Sequence, residues 1–386
     1  MSSEHTIMVV AGEASADAHA AAMVRELRKL VPDLSVYGVG GKSLEAEGAE
    51  LFLDFSRVGV VGVSEVLPEL GRFYSAYKSL VKSVGERKPA GVLLLDLPDF
   101  NLMLAGKIRK RYPGTKIIYY ISPQVWGWRP GRVKKIAKRA DAMLTLFPFE
   151  VEIYEKEGMD VEFVGHPLRE TAKAGADRET LRNEFGLSPD STVVALLPGS
   201  RKSEIEMYLP VISSFVLMLK EKKPDTEFLL ARAPTIDESI IEEKLGRASA
   251  HVKIIEARTY DVLASADLSV VASGTATLET AIIGTPMIVL GAVSTITYYL
   301  VKPFALIDLY SLPNIISKRE VVPELIQHDI TPERLLETAE NLLDHPELRQ
   351  KMKEDLAEVK EALGEEGASA RTALAVKNRL WPEGTE

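Results

Sequence analysis

The chain alternates short apolar segments with amphipathic helical patterns, and this alternation occurs in two series. Each apolar segment is nearly continuous, which is typical of strands buried on both faces of a parallel sheet. The segments are residues 6–11, 34–39, 90–97, 116–122 and 141–147 in the first series, and residues 191–199, 227–233, 252–257, 267–274 and 285–291 in the second. The pattern predicts an α/β fold with two doubly wound sheets covered by helices.

The length of the chain also favours two domains, because 386 residues exceed the size at which a single core usually divides. We predict an N-terminal domain over residues 1–170 and a C-terminal domain over residues 171–345, with a polar boundary near residues 169–178. Beyond about residue 331 the pattern is helical and charged, and Pro346 begins a further helix. Residues 346–386 are therefore expected to form a helical tail that packs outside the sheets.

Composition excludes several classes of protein. The chain contains no cysteine, so disulfides, thiolate catalysis and cysteine-ligated metals are excluded, and a reducing, cytoplasmic compartment is expected. It contains no apolar run of 18 residues, so no membrane-spanning helix is expected. The first residues lack a basic segment followed by a long apolar one, so no signal peptide is expected.

Charge is unevenly distributed along the chain. The net charge of −9 argues against general binding of nucleic acid. Between Asp99 and Asp141 there is nevertheless no acidic residue, while eleven lysines and arginines fall there: Lys107, Arg109, Lys110, Arg111, Lys116, Arg129, Arg132, Lys134, Lys135, Lys138 and Arg139. This stretch indicates a local anionic partner, or else solvated helix faces.

Two strand-to-helix turns in the second series are suited to bind phosphate, because ligands of open α/β sheets collect at the carboxyl ends of the strands. In the segment SGTATLE, residues 273–279, small residues and Gly274 end a strand and begin a helix, which presents free backbone N–H groups. Thr275 and Thr277 add hydroxyls, and Glu279 could accept hydrogen bonds from a ribose. The alternative is an ordinary helix cap.

The segment LLPGSRKSE, residues 196–204, forms the second such turn and carries Arg201, whose guanidinium can bind phosphate through paired hydrogen bonds. Neither turn has the spacing of a P-loop, and Gly12 does not begin a GxGxxG motif. Mononucleotide hydrolysis and dinucleotide redox chemistry are both disfavoured.

Two turns in the first series carry acidic residues. In LLLDLPDFN, residues 93–101, Asp96 ends a buried strand, so its pKa should be raised and it could act as a general base. An Asx-turn or helix cap is the alternative, and it suits Asp99 better than Asp96. The segment AGEASAD, residues 11–17, follows the first strand and is expected beside the same cleft.

Two further segments indicate an amphipathic partner. Residues 61–81 place apolar side chains at helical spacing, which favours either core packing or contact with an anionic membrane surface: Val63, Val66, Leu67, Leu70, Phe73 and Tyr74 are the candidates. The segment ISPQVWGWRPGRVKK, residues 121–135, combines Trp126 with Arg129. It suits a ligand with a charged head, and core aromatics are the alternative.

With these segments identified, the chain resembles the lipid-A-disaccharide synthase family. The segments AGEASAD, LPDFN, YISPQVWGWR, LFPFE, FVGHP, LLPGSR, ASGTATLE and YSLPN occur in the family's order between about residues 9 and 322. The family usually has Gly in the place of Ala16. The resemblance implies a GT-B architecture, in which two Rossmann-like domains face a cleft and the second holds most of the donor nucleotide.

The resemblance also implies the reaction. Such an enzyme transfers 2,3-diacylglucosamine from UDP-2,3-diacylglucosamine to 2,3-diacylglucosamine 1-phosphate (lipid X), forms a β-1,6-linked disaccharide and releases UDP. The catalytic aspartate then falls on Asp96 and the essential arginine on Arg201. Contacts to the UDP-sugar fall on Gly199, Ser200, Arg201, Ser273, Gly274, Thr275, Ala276, Thr277, Glu279 and Asn314. Contacts on the acceptor side fall on Glu13, Ser15, Asp17, Asp99, Asn101, Trp126 and Arg129.

Cofactors and partners follow from the same resemblance. Because the chain contains no Asp-X-Asp cluster, neither a metal nor another cofactor is expected. Peripheral association with the inner membrane and a homodimer, in which the tail could be exchanged, are expected. The rival functions are a UDP-GlcNAc 2-epimerase, a GlcNAc transferase acting on the peptidoglycan precursor, and a nucleotide-binding scaffold without catalysis.

Overall fold

The computed structural model describes residues 5–54, 66–127, 131–292 and 309–382; the side chains of residues 14, 54 and 66–73 lie outside that description. The chain divides into two compact units, Met1–Pro167 with Leu363–Glu386, and Leu168–Ala362. Among the described residues, no helix has both the length and the apolar character needed to cross a bilayer.

One parallel sheet of seven strands forms the centre of the first unit. The strands are β1 (Thr6–Ala11), β2 (Ser35–Gly40), β3 (Glu50–Asp54), β4 (Gly91–Leu95), β5 (Lys116–Tyr120), β6 (Ala142–Thr145) and β7 (Asp160–Phe163). Their spatial order is β3-β2-β1-β4-β5-β6-β7. The order reverses between β1 and β4, so the turns that follow these two strands lie at the topological switch point, where α/β sheets bind ligands.

Helices cover both faces of this sheet. They are α1 (Ala14–Leu30), α2 (Lys42–Ala46), α3 (Val66–Arg87), α4 (Pro98–Arg111), α5 (Arg132–Ala137) and α6 (Pro148–Glu155). Val9 of β1 packs in one core with Met23 of α1, whereas Met8 packs in a second core with Ile108 of α4. Since successive strand residues point to opposite faces, both faces of a continuous apolar strand are buried.

A parallel sheet of six strands forms the second unit. The strands are β8 (Val193–Leu197), β9 (Glu227–Arg232), β10 (Val252–Glu256), β11 (Leu268–Ala272), β12 (Met287–Gly291) and β13 (Glu324–Ile326), in the order β10-β9-β8-β11-β12-β13. The helices are α7 (Leu168–Thr171), α8 (Arg178–Glu184), α9 (Lys202–Lys222), α10 (Glu238–Leu245), α11 (Thr259–Ser265), α12 (Thr275–Ile283), α13 (Leu312–Ser317), α14 (Pro332–Asp344) and α15 (Pro346–Ala362). The switch point here lies between β8 and β11.

The C-terminal segment is shared between the two units. Helix α15 belongs to the second unit, but the last helix, α16 (Ala368–Leu380), belongs to the first. Val376 of α16 is fully buried in the core that contains Met23 of α1, and the Arg371 Nε–H group donates to the Val164 carbonyl oxygen at 2.9 Å. Of the stretch expected to be one external tail, residues 346–386, helix α16 therefore packs in the core of the first unit.

The predicted fold class is confirmed, since both units are doubly wound parallel sheets covered by helices.

Candidate active site

A cavity of about 320 Å³ opens in the second unit where β8 and β11 end. Two strand-to-helix turns form most of its wall. The lining residues singled out in the sequence are Gly199, Ser200, Arg201, Ser273, Gly274, Thr275, Ala276 and Glu279; the others are Leu197, Glu204, Ala231, Ala233, Thr259 and Ala272. The structure thus brings both predicted phosphate-binding turns around one cavity.

The turn before α12 presents unoccupied donors to this cavity. Gly274 has φ +144°, a conformation that favours glycine, and it precedes the first helical residue. The N–H groups of Gly274, Thr275 and Ala276 have no hydrogen-bond acceptor within the described part of the chain. Because the first amides of a helix also carry the positive end of its dipole, this turn is suited to hold a diphosphate.

In the turn after β8, backbone amides are already hydrogen-bonded to a side chain. The Glu204 carboxylate accepts hydrogen bonds from the Ser200 N–H group at 2.8 Å and the Arg201 N–H group at 3.1 Å. The Arg201 guanidinium lies 3.4 Å from the same carboxylate, and its side chain is 64% exposed. Glu204 therefore uses the amides that the sequence suggested for phosphate, and the exposed guanidinium of Arg201 is a cation in the cavity wall.

Glu204 is a cavity residue that the sequence analysis did not single out. It occupies the third position of α9, where a glutamate that bonds back to the helix start is the usual signature of a capping box. That spacing was visible in the sequence, but it indicated only a cap.

Glu279 lies on another side of the cavity, and its carboxylate accepts a hydrogen bond from the Tyr260 hydroxyl at 2.9 Å. Burial raises the pKa of Glu279, and the Tyr260 bond lowers it in part. A half-buried carboxylate that keeps free lone pairs can accept hydrogen bonds from sugar hydroxyls.

Two residues predicted to contact UDP do not line the cavity. Thr277 is fully buried, and its hydroxyl donates to the Gly274 carbonyl oxygen at 2.8 Å. Asn314 is also fully buried: its amide nitrogen donates to the Val322 carbonyl and to Glu324, and its oxygen accepts from the backbone N–H groups of Val321 and Val322. In this structure both side chains support the local backbone.

In the first unit, Asp96 follows β4 in an unusual backbone conformation. Asp96 and Leu97 are consecutive left-handed residues, with φ of +54° and +40°. The Asn101 amide donates to the carbonyl oxygens of Leu95 at 3.0 Å and Asp96 at 2.6 Å, and the Tyr119 hydroxyl donates to the Asp96 carbonyl at 3.1 Å. Such strain persists only where surrounding groups hold it, and it is common at functional sites. Asn101, predicted on the acceptor side, here fixes the turn that carries Asp96.

Electrostatics at Asp96 favour a base. Burial raises the pKa of Asp96, the nearby Glu13 carboxylate raises it further, and a hydrogen bond from the Leu97 N–H group partly opposes both. A carboxylate with a raised pKa is a better proton acceptor than an ordinary aspartate. Gly12 allows Leu97 to pack over the β1 turn, because a Cβ atom at residue 12 would lie 1.9 Å from the Leu97 Cγ atom.

The remaining acidic turn, after β1, contains one structural residue and two exposed ones. The Asp17 carboxylate is buried and accepts hydrogen bonds from the backbone N–H groups of Gly41, Ser43 and Leu44, at 2.7, 2.9 and 3.1 Å. Glu13 and Ser15 are exposed. Of the three residues predicted in this turn, Glu13 and Ser15 are accessible to solvent, whereas Asp17 fixes the start of α2.

The segment after β5 and the start of α4 hold the other acceptor candidates. Asp99 pairs with the buried guanidinium of Arg132 at 2.5 Å, and its own side chain is 79% exposed. The indole N–H group of Trp126 donates to the Glu150 carboxylate at 3.2 Å. Arg129 lies outside the described residues.

A second cavity, of about 960 Å³, forms a groove along α4 and α5 of the first unit. Asp99 lies at one end of it, and the lining is mostly basic: Lys107, Arg109, Lys110, Arg132, Lys135, Lys138 and Arg139, together with Tyr77, Leu102, Met103, Gly106 and Gly131. Four of these lysines, at 107, 110, 135 and 138, are exposed and have no ion pair with a described carboxylate. Seven of the eleven lysines and arginines of the basic stretch thus line one positively charged groove.

The apolar stripe next to this groove is only partly described. Tyr74 is 59% exposed on α3, and Met103 of α4 is 51% exposed. Val66, Leu67, Leu70 and Phe73 belong to α3, but their side chains lie outside the described residues, as does Val63 altogether.

Two doubly wound sheets, one with helix-start amides at its switch point and the other with a carboxylate at its switch point, give the chain the fold of the GT-B class. Solved structures agree on the fold. The chain is similar to UDP-GlcNAc 2-epimerase from Neisseria meningitidis, with a TM-score of 0.63, 14% identity, and coverage of 97% of this chain and 99% of that one. It is also similar to CalG4, the calicheamicin glycosyltransferase, with a TM-score of 0.61, 14% identity, and 98% coverage of both chains.

Sequence comparison identifies the family. The family model described as lipid-A-disaccharide synthetase matches residues 7–378. The chain is 41% identical over 376 residues to the lipid-A-disaccharide synthase of Geobacter sulfurreducens, covering 97% of each chain, and 39% identical over 382 residues to that of Myxococcus xanthus, covering 99% of each. The chain belongs to the lipid-A-disaccharide synthase family, and it is a glycosyltransferase of lipid A biosynthesis.

Proposed function

We propose that this enzyme transfers 2,3-diacylglucosamine from UDP-2,3-diacylglucosamine to lipid X, forms the β-1,6-linked disaccharide 1-phosphate and releases UDP. The observation that carries the proposal is the cavity of the second unit, in which the helix-start amides of residues 274–276, the Arg201 guanidinium and the Glu279 carboxylate converge. Amides and guanidinium suit the diphosphate, and the carboxylate suits the ribose hydroxyls. The relatives named lipid-A-disaccharide synthase support this choice of substrates.

In this mechanism Asp96 removes the proton from the 6-hydroxyl of the acceptor as that oxygen attacks the anomeric carbon of the donor. The carbon–oxygen bond to UDP breaks on the opposite face, so the configuration inverts. Negative charge grows on the departing diphosphate, where Arg201 and the start of α12 stabilise it. Removal of one such donor typically costs roughly 3 kcal/mol of transition-state stabilisation.

Incubation with UDP-2,3-diacylglucosamine and lipid X, followed by mass spectrometry, tests the reaction. We expect a disaccharide 1-phosphate and an equal amount of UDP, and we expect Arg201→Ala to lose most of this turnover. An epimerase would form no disaccharide, and an enzyme acting on the peptidoglycan precursor would require a polyprenyl-diphosphate acceptor. Absence of the disaccharide with fully folded enzyme would refute the proposal.

We also propose peripheral, salt-sensitive association with the cytoplasmic surface of the inner membrane. Support comes from the basic groove along α4 and α5, and from exposed Tyr74 and Met103 near it. Basic groups near an anionic surface contribute about 1 kcal/mol each, and salt screens the attraction.

Flotation with vesicles that contain anionic lipid tests this association. Lys135→Glu/Lys138→Glu should reduce the bound fraction at low salt, whereas Lys353→Glu/Lys360→Glu on α15, with the same change of charge, should not. Equal loss in both variants, or binding that does not respond to salt, would contradict a role for the groove.

A homodimer that exchanges the C-terminal helix is a further part of the proposal. Helix α16 follows a short connection after α15 and packs on α1, so the same contacts could form with a second copy. Light scattering during size-exclusion chromatography, with and without residues 363–386, would show whether a dimer forms and needs this segment.

A further inference from the structure

Glu150 is a buried carboxyl group for which the proposed reaction has no role. It lies in the first turn of α6 and is 2% exposed. One carboxyl oxygen accepts from the Trp126 indole N–H group at 3.2 Å, and the other accepts from the Phe147 backbone N–H group at 3.3 Å. A helix cap requires only the bond from the Phe147 N–H group, so the bond from the Trp126 indole needs a separate explanation.

Aromatic rings extend the contact between these two turns. Trp126 meets Phe149 edge to face at 5.7 Å between ring centroids, Phe149 stacks on Phe147 at 5.5 Å, and Phe147 lies 5.4 Å from His166. His166 in turn meets His19 of α1 at 6.5 Å. The row of rings therefore joins the segments that follow β5, β6 and β7 to the helix that follows β1, and the segment that bears Trp126 is one end of the row.

Burial disfavours the charged form of each titratable group described in this row. Burial raises the pKa of Glu150 to about 8, and it lowers the pKa of His19 to about 4 and that of His166 to about 3. Among the described residues, a further titratable group near Glu150 is Tyr154 of α6, whose hydroxyl is 2.8 Å from the Ser122 hydroxyl. Burial also raises the pKa of Tyr154, so this neighbour is neutral as well.

We propose that Glu150 is a positioning residue which, through its hydrogen bond with the Trp126 indole, holds residues 122–127 in the conformation that receives the acceptor. The inference rests on the proposed function, because Trp126 is the acceptor-side residue through which Glu150 acts. Within the described part of the chain no cation pairs with Glu150, so ionisation of this buried carboxyl group is costly and is expected to loosen the segment that it contacts. The conformation of residues 122–127 therefore depends on the protonation state of Glu150.

Variants at residue 150 separate this role from simple support of the fold. Glu150→Ala should raise the KM for lipid X by roughly tenfold while the KM for the UDP-sugar stays unchanged, because only the acceptor segment loses its hydrogen bond. Glu150→Gln keeps the shape and an oxygen acceptor for Trp126, so it should restore the KM. Glu152→Gln, the same chemical change at an exposed position of α6, is the control and should have no effect.

Dependence on pH gives a second test. Above pH 8 the wild-type enzyme should lose affinity for lipid X as Glu150 ionises, whereas Glu150→Gln should retain it. Tryptophan fluorescence reports the ionisation of Glu150 without turnover. The contribution of Trp126 is the part of the fluorescence that is lost in Trp126→Phe. This contribution should change with pH near 8 in the wild type and stay constant in Glu150→Gln.

The outcomes distinguish the inference from the proposed function. In one outcome the wild-type enzyme forms no disaccharide, yet its Trp126 fluorescence changes near pH 8 and that of Glu150→Gln does not. This result would refute the proposed function and still support the coupling between Glu150 and Trp126. A change of signal that is equal in wild type and Glu150→Gln, or equal effects of Glu150→Ala on both KM values, would overturn the inference. Should Glu150→Ala fail to fold, the fluorescence of wild type and Glu150→Gln decides.

Discussion

Replacement of Asn101 by alanine should show that the strained turn at Asp96 is held by its surroundings. The change removes two hydrogen bonds, from the Asn101 amide to the carbonyl oxygens of Leu95 and Asp96. Only the Tyr119 hydroxyl then remains on the Asp96 carbonyl. Residues 96 and 97 each carry roughly 1–3 kcal/mol of left-handed strain, so the turn is expected to relax once both side-chain bonds from Asn101 are lost.

The magnitude follows from those contacts. At about 0.5–1.5 kcal/mol of net stabilisation for each hydrogen bond, the free energy of unfolding should fall by roughly 1–3 kcal/mol. In a unit of this size, a loss of about 2 kcal/mol lowers Tm by roughly 4–8 °C. A displacement of about 1 Å at a catalytic group can lower the rate by about a hundredfold, so kcat should fall much more than stability alone would suggest.

Calorimetry and turnover measured on the same preparation provide the test. Ser83→Ala is the matched control, because it removes a buried side-chain-to-backbone bond, to the Leu80 carbonyl, from the same unit. It should lower Tm slightly and leave kcat unchanged. If Asn101→Ala lowers Tm but retains normal kcat, Asp96 does not depend on this turn conformation and the reasoning is wrong.

Three further predictions concern the charges of the two sites. Asp96→Asn should abolish disaccharide formation while calorimetry still detects UDP binding, and near-normal turnover would exclude Asp96 as the base. Glu13→Gln removes a like charge that raises the pKa of Asp96. Because the base must be deprotonated, the acid limb of the pH profile of kcat/KM should move to lower pH. An acid limb that stays in place or moves to higher pH would contradict the interaction between Glu13 and Asp96. Glu204→Gln keeps an acceptor for the Ser200 and Arg201 amides but removes negative charge from the cavity of the second unit. UDP should therefore bind about fivefold more tightly, as measured by calorimetry. Weaker binding would refute an electrostatic effect of Glu204 on UDP.

Much of the fold was predictable because the central strands are apolar on both faces. All five strands of each predicted series are present, and β1 is buried along its whole length. The sequence analysis missed β3, β7 and β13, which lie at sheet edges. The half-exposed pattern of β7, with Asp160 and Glu162 in four residues, gives no apolar run to detect. An edge strand hydrogen-bonds to only one neighbouring strand, and fewer of its side chains need to be buried.

The candidate site was predictable in position but not in role. The sequence located the turns after β1, β4, β8 and β11, since the carboxyl end of each strand was visible where an apolar run met small or acidic residues. It did not separate Glu13, which is exposed, from Asp17, which binds three backbone amides more than twenty residues away. It likewise did not show that Glu204 occupies amides suited to phosphate.

The sequence by itself determined that two parallel sheets form and which side chains lie at their carboxyl edges, because strand burial and helix periodicity are local properties of the chain. Tertiary structure alone decided that α16 joins the first unit, that Asn101 and Tyr119 hold Asp96 in place, and that Glu150 reaches Trp126. The physical reason is that hydrogen-bond partners and burial come from segments distant in the chain. Whether a polar side chain is free for a ligand or already used by the protein is therefore settled only when those segments meet.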